Sequence, residues 1–225
     1  MNERPSFLML EFNDPQYFTQ LKKIFNETRL EGDHIYLRRL KETDISEKYV
    51  SFFSNPELVK YMYQSPRKVD LKSLRAELQT GEETGQFHLY GIFDKTNHSC
   101  IGNLRIGYMN HAQKNSDLSI FIGDTGYLGK GLAQEALRLG NQASFEIYDF
   151  RKLHSGMFEA NIASIKAYLK TGWVIEGRLR GQYWVEGKAM DRIAVACFNP
   201  RYFSSDFLSE VKRHSLEYQK ALPSR

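Results

Sequence analysis

The chain has 225 residues, enough to bury a substantial core, and with 41% hydrophobic, 26% charged and 13% aromatic residues it reads as globular rather than disordered. Its 31 basic and 27 acidic residues leave a net charge of +4, spread along the chain without a Lys/Arg-rich block. That bias suits a small anionic ligand and is too weak to point to nucleic acid, so no nucleic-acid partner is expected.

The two cysteines, Cys100 and Cys197, have no CxxC neighbour and no histidine cluster at metal-ligand spacing. No metal and no disulfide framework are expected, and both read as buried thiols. The N-terminal apolar run, Phe7 to Leu10 and then Phe12, is too short for a signal peptide or a membrane span. The expectation is a cytoplasmic protein without a membrane partner.

In chain order, Pro15 to Leu30 predicts an amphipathic helix with Phe18, Leu21, Ile24 and Phe25 on one stripe. Gly32-Asp33 punctuates, and HIYLRRL from His34 alternates as a strand. Two helical stretches follow, DISEKYVSFFS ending at Asn55-Pro56 and LKSLRAELQTG ending at Gly81. FHLYGIF, CIGNLRIGYM and DLSIFIG are then three strands with short polar joints, an antiparallel meander. A long helix carries Leu132, Ala136, Leu139, Ala143 and Ile147 at helical spacing. KLHSGMF is a further strand, NIASIKAYLKTG a short helix closed by Gly172, and WVIEGRLR and DRIAVACF a hairpin around Gly187. The tail SSDFLSEVKRHSLEYQKAL predicts a terminal amphipathic helix. The fold class is α+β, one domain around a mixed sheet with helical additions at both ends.

The strongest constellation is the strand Leu118 to Ile122 followed by Gly126-Tyr127-Leu128-Gly129-Lys130-Gly131-Leu132-Ala133 and a helix. A glycine-rich turn feeding a helix N-terminus exposes backbone N–H groups at the positive end of the dipole, an anion site suited to a pyrophosphate. Lys130 adds charge. No Gly-Lys-[Ser/Thr] follows, so it is not a P-loop, and its strand belongs to a meander rather than a βαβ unit. On spacing alone it is equally a turn that merely starts a helix.

Tyr-Leu-Gly-Lys-Gly-Leu-Ala-Gln-Glu-Ala (Tyr127 to Ala136) resembles the acetyl-CoA signature of GNAT acyltransferases, especially the branch holding ribosomal-protein alanine and spermidine acetyltransferases. The family pattern begins with Gln or Arg three residues before the first glycine, where this chain has Gly126. A second segment, Asn161-Ile-Ala-Ser164-Ile-Lys-Ala-Tyr168-Leu-Lys-Thr-Gly172-Trp173, is similar to the family's Asn-x-x-Ser-x-x-x-Tyr-x-Lys-x-Gly-Phe. Asn161 and Tyr168, two helical turns apart, share a face. By themselves Asn161 is a natural helix cap and Tyr168 a core residue.

The resemblance covers about His34 to Phe198. It implies a GNAT-like, mostly antiparallel central sheet over residues 34–199; the helical extensions at 1–33 and 200–225, read from their own patterns, fall outside it. It also implies acetyl-CoA as co-substrate. The pyrophosphate would sit on Tyr127 to Ala133, and Asn161, with Ser164 in the same segment, would hold the pantetheine arm. The strand Ser119, Ile120, Phe121, Ile122 would splay from its neighbour, with the N–H groups of Ser119 to Phe121 polarising the thioester carbonyl. Tyr168 would protonate the departing thiolate, and Asp117 would take the amine proton or attract a cationic amine. Glu159 is a weaker base, and the lone strand histidines His34, His88 and His154 read as structural.

For the acceptor, Tyr183 and Trp184 of the hairpin either stack on a ligand ring or pack the hairpin. Arg178, Arg180, Lys188 and Arg192 against Glu176, Glu186 and Asp191 leave a modest positive excess. That suits an acceptor bearing phosphate, such as a nucleotide-linked amino sugar, and disfavours a polyamine. A protein N-terminus or small amine stays open, and Glu57 with the other acids of the early helices favours a cationic acceptor instead. A non-catalytic acyl-CoA sensor, and a nucleotide- or phosphate-binding protein using the glycine turn alone, are the alternatives from other classes. The terminal helices either cap the domain or pair it into a homodimer.

Overall fold

The computed structural model describes residues 14–62, 69–220 and 222. The chain opens with α1 (Pro15–Glu27), whose N-cap Asp14 accepts the Gln16 amide at 2.8 Å. Its buried stripe is Tyr17, Leu21 and Phe25, while Phe18 is 45% exposed. The sequence reading was one position off at its start, because successive contacts run at i, i+4, i+8 from Tyr17. The expected helix also ends early. After Thr28 the chain forms an edge strand β1 (Arg29–Glu31), antiparallel to β2 (Ile35–Arg39).

The two early helical stretches become α2 (Glu47–Phe52), α3 (Pro56–Val59) and α4 (Leu71–Thr84), capped by Ser46, Asn55 and Asp70 respectively. The meander is β3 (Phe87–Asp94), β4 (Cys100–Asn110) and β5 (Asn115–Ile122). The glycine turn leads into α5 (Leu132–Gln142). Helical spacing continues to Ile147, yet α5 stops at Gln142 and the backbone widens over Ala143–Ile147. Tyr148 N–H there donates to Ala143 O at 3.2 Å, five residues back, the signature of a π turn. Next come β6 (Lys152–Phe158), α6 (Ile162–Leu169), β7 (Val174–Val185), β8 (Lys188–Phe198) and α7 (Ser205–Lys220).

One eight-stranded sheet runs β1-β2-β3-β4-β5-β6-β8-β7, antiparallel except between β5 and β6. Because strand side chains alternate, the sheet has two faces, and β3, β4 and β5 feed a core on each. The larger buries Tyr90, Leu104, Leu118, Leu153 and Val195 with Leu21 and Phe25 of α1, Leu137 of α5 and Ile165 of α6. The smaller lies under α2 and α4, around Leu40, Tyr49, Phe52, Leu74 and Leu78, with Phe121 packed against it. Even-numbered β5 residues therefore face the large core and odd-numbered ones the other face. At the edge strand β7 the Ile175 amide, which no strand covers on that side, donates to Ser215 Oγ of α7 at 2.8 Å.

Candidate active site

Gly129 and Gly131 have φ of 75° and 79°, in the left-handed region that side-chain-bearing residues avoid, and nothing lies where a Cβ would stand. These positions turn the chain into α5, whose N-cap Gly131 has no side-chain cap. The amides of Gln134 and Glu135 fold back on Gly131 O at 3.0 and 3.2 Å, which leaves those of Leu132 and Ala133 for a ligand. An anion is the ligand such amides favour. Tyr127 sits in a short helical turn capped by Asp124, itself paired to Lys48 of α2 at 2.9 Å. Lys130 lies over the Tyr127 ring at 5.2 Å and outside the cavity lining, so its expected charge is directed onto the turn's own aromatic.

Glu135 of the same motif is a brace. Its Oε1 accepts the amides of His34 and Ile35 at 2.8 and 3.1 Å, tying α5 to the start of β2. Burial pushes its pKa up, but the hydrogen bonds from His34 and Ile35 outweigh that and hold it low.

The β5–β6 pairing is parallel and short: Asn115↔Lys152, Ser116↔Leu153 and Asp117↔His154, and nothing beyond. From Leu118 onward the two strands part. Parity then decides which β5 groups face the gap. Leu118 O accepts the Tyr168 hydroxyl at 3.0 Å, while the Gly123 amide donates to Ile101 O of the other neighbour at 2.9 Å. Even-numbered residues thus turn their backbone groups to the gap and odd-numbered ones to β4. Of the expected Ser119 to Phe121 donors, only Ile120 N–H opens into the gap. Ser119 and Phe121 bond β4 instead, and Ile122 is the second residue whose backbone faces the gap.

Tyr168 is buried at the point of the split. Burial raises its pKa, a hydrogen bond with Ser155 lowers it and nearby Asp117 raises it, for a net shift well above the ordinary phenol range. The ring is held by Trp173, perpendicular at 4.8 Å, and the Trp173 indole donates to Asn141 of α5 at 3.0 Å. Asn161 caps α6 by accepting the Ser164 amide at 3.2 Å, which uses its oxygen and leaves its Nδ2 as the donor toward the cavity.

Asp117, only 17% exposed at its side chain, stands 3.6 Å from Arg105 of β4. Its pKa is raised by burial, with Arg105, His154 and Arg192 pulling the other way. His88 is bonded to Tyr148 at 2.6 Å and held neutral by burial, its pKa pushed down to about 3, and His34 is engaged with Glu135.

Two of the four hairpin cations are spent on pairs within or beside the hairpin. Arg178 pairs with Glu159 and Asp191, each at 2.7 Å, and Arg180 with Asp191 at 2.9 Å. Asp191 also accepts the Gly181 amide at 2.8 Å, pinning a bulge between Leu179 and Tyr183. Tyr183 points inward and stacks on Phe158 at 4.0 Å, so its neighbour Trp184 points out and is 74% exposed. Trp184 therefore does not line the cavity that Tyr183 lines.

One cavity of about 1240 Å³ gathers most of these groups. Its lining includes Tyr127, Leu128, Gly129 and Gly131 to Ala133; Asp117 and Ser119 to Ile122; Ser155 to Phe158; and Asn161, Ser164, Tyr168 and Tyr183. It also includes Arg105, Tyr49 and Asn103, which the sequence reading missed. Arg105 had a signal, a single charge in the apolar run CIGNLRIGYM, whereas Tyr49 and Asn103 are joined only by folding, at 2.7 Å. Among the described residues no His, Cys, Asp and Glu group could hold a metal, and no helix is long and apolar enough to cross a membrane.

Residues 34–174 match the acetyltransferase (GNAT) domain family. Spermidine N(1)-acetyltransferase of Escherichia coli (strain K12) is 24% identical over 173 residues, covering 76% of this chain and 89% of that protein. The probable N-acetyltransferase YjcK of Bacillus subtilis (strain 168) is 26% identical over 182 residues, covering 76% and 97%. Among solved structures, spermidine N-acetyltransferase from Vibrio cholerae in complex with CoA and spermine aligns with a TM-score of 0.69 at 19% identity, covering 76% and 99%. Ribosomal-protein-S5-alanine acetyltransferase from Vibrio fischeri aligns at 0.69 with 17% identity, covering 79% and 100%. These structural likenesses show the fold. With its family match spanning more than half its length and a glycine turn, a split sheet and a buried tyrosine in one cavity, the chain belongs to the GNAT acetyltransferases and is an acetyl-CoA-dependent N-acetyltransferase.

Proposed function

We propose that the chain acetylates the primary amine of a small acceptor bound over Asp117, in a ternary complex with acetyl-CoA. The observation that carries this reading is the cavity in which the Tyr168 hydroxyl, the Ile120 amide and the Asp117 carboxylate meet where β5 leaves β6. Acetyl-CoA supplies an activated thioester, and the residues that would hold it are the turn amides from Gly129 to Ala133 and Asn161.

The chain's own groups divide the remaining work. Asp117, its pKa raised by burial, is a stronger base than an exposed carboxylate and is placed to take the amine proton directly or through water. Ile120 N–H is the donor free to polarise a carbonyl in the gap. Tyr168 stays protonated, because burial holds its pKa high. A phenol above its ordinary pKa of about 10 gives its proton only reluctantly to a thiolate of about 8.5, so its hydroxyl, whose one proton here goes to Leu118 O, acts on sulfur as an oriented donor by turning from that carbonyl rather than as a strong acid. Alignment of the reactants supplies the larger share of the rate.

Transfer is direct. Among the described residues no cysteine lines the cavity, and burial pushes the thiols of Cys100 and Cys197 up to about 11 and about 12, far from the nucleophilic thiolate. The spermidine acetyltransferase relatives make polyamines the first acceptors to assay, alongside N-terminal peptides and amino sugars. A nucleotide-linked amino sugar has lost its original support, since Arg178 and Arg180 are neutralised within the hairpin. The test is acetyl-CoA consumption across that panel. Turnover with at least one amine is expected; tight CoA binding with no turnover on any amine would instead fit a sensor.

A further inference from the structure

Sheet register places a second set of charges on the acceptor face. Arg105 opposes Ser119, Asp117 opposes Gly107 and His154, Gly156 opposes Ala194, and Arg192 opposes Phe158. Paired residues share a face, so Arg105, Asp117, His154, Gly156 and Arg192 all stand on the side away from the large core. The Arg192 side chain makes no ion pair or hydrogen bond with any described residue, and its buried Nε has no partner. Its guanidinium lies against Gly156 of β6, where even a Cβ would collide with it, although Gly156 has no left-handed φ. The glycine is there for space. Arg105 also has an unpartnered buried Nε, and its one carboxylate contact is the 3.6 Å approach to Asp117.

A half-buried guanidinium without an acceptor is costly unless a ligand completes it. Around it, Glu57 is paired with Lys60 at 2.7 Å, and Glu77 lines the wall formed by α4. On the sheet face itself two guanidinium groups confront one carboxylate. We infer that Arg192, assisted by Arg105, is an anion subsite, and that the acceptor carries a carboxylate or phosphate a short reach from the amine held at Asp117. This deepens the proposed acetyl transfer and rests on it. It distinguishes the acceptor from a bare polyamine, which would place a cation against Arg192.

The test uses the full chain with matched acceptors: β-alanine and 2-aminoethyl phosphate against ethanolamine and spermidine. At least one acidic amine should exceed ethanolamine in kcat/KM by about tenfold or more, the worth of a charge-assisted hydrogen bond. Arg192→Gln should shrink that advantage to below about threefold through KM, and Arg192→Lys should restore part of it, with melting temperatures establishing that both fold. Preference for spermidine or ethanolamine, or an acidic-amine advantage that survives Arg192→Gln, overturns the subsite and leaves acetyl transfer standing. Calorimetric titration of the two acidic amines into CoA-saturated protein reads binding without turnover. Binding weakened about tenfold by Arg192→Gln supports the subsite even if no amine is acetylated, an outcome that would defeat the catalytic reading alone. Binding of neither acid overturns the subsite, and the tighter of the two separates carboxylate from phosphate.

Discussion

The Tyr168 hydroxyl donates to the Leu118 carbonyl at 3.0 Å, one residue beyond the last β5–β6 pair. The bond joins α6 to β5 at the root of the split and satisfies a carbonyl that the divergence of the strands leaves without a partner. Tyr168 therefore shapes the gap as well as facing into it.

Tyr168→Phe should separate these roles. Loss of the donor should lower kcat by about 10²–10³ while acetyl-CoA affinity stays within about threefold. The stranded Leu118 carbonyl should cost about 1 kcal/mol of stability. Stopped assays, calorimetry and thermal melts measure the three quantities. An unchanged kcat in a folded variant would remove Tyr168 from the chemistry.

Gly129→Val and Gly131→Val add a Cβ that meets no protein atom but must hold a left-handed φ. Each should cost about 1–2 kcal/mol of stability and weaken acetyl-CoA by more than about tenfold, because a side chain there also blocks close approach to the backbone. Unaltered coenzyme affinity in the folded double variant would contradict the cradle.

Asp117 titrates above an ordinary carboxylate because burial disfavours its charge. The acid limb of kcat/KM against pH should lie correspondingly high, and Asp117→Asn should abolish it and lower the rate. The sign for stability is the opposite of the usual carboxylate case. A raised folded pKa gives stability that is full below the unfolded value and is lost as pH rises through the folded one. At neutral pH, Asp117→Asn should therefore melt no lower than the parent.

Glu135 behaves in the ordinary sense. Its folded pKa is lowered by the His34 and Ile35 bonds, so its stability is present above the unfolded carboxylate pKa and fades as pH falls through the folded one. Glu135→Ala should leave two amides without an acceptor and cost about 2–4 kcal/mol at neutral pH. The deficit should shrink in acid, which melts from neutral pH down to the acid limit would show.

Trp184→Ala should leave kcat/KM within about twofold, since that ring is solvent-facing, whereas Tyr183→Ala should raise acceptor KM by removing the stack on Phe158. Equal losses from both would reverse the placement.

Local chemistry was enough to make the cradle and its helix legible in the sequence. Glycines that permit left-handed φ at Gly129 and Gly131, the cap at Asn161 and the helical spacing to Tyr168 are properties of neighbouring residues. Strand alternation likewise gave the meander and the terminal hairpin. What only tertiary structure decided depends on register between distant strands. Whether Ser119, Ile120 or Phe121 offers its amide to the gap is set by which β5 residues bond β4, and a shift of one residue exchanges the answer. The hairpin arginines counted alike in the sequence, yet folding gave Arg178 and Arg180 to Asp191 and left Arg192 facing the cavity. Charge is additive along a chain, but its effect depends on distance and burial, and those exist only once the sheet has formed.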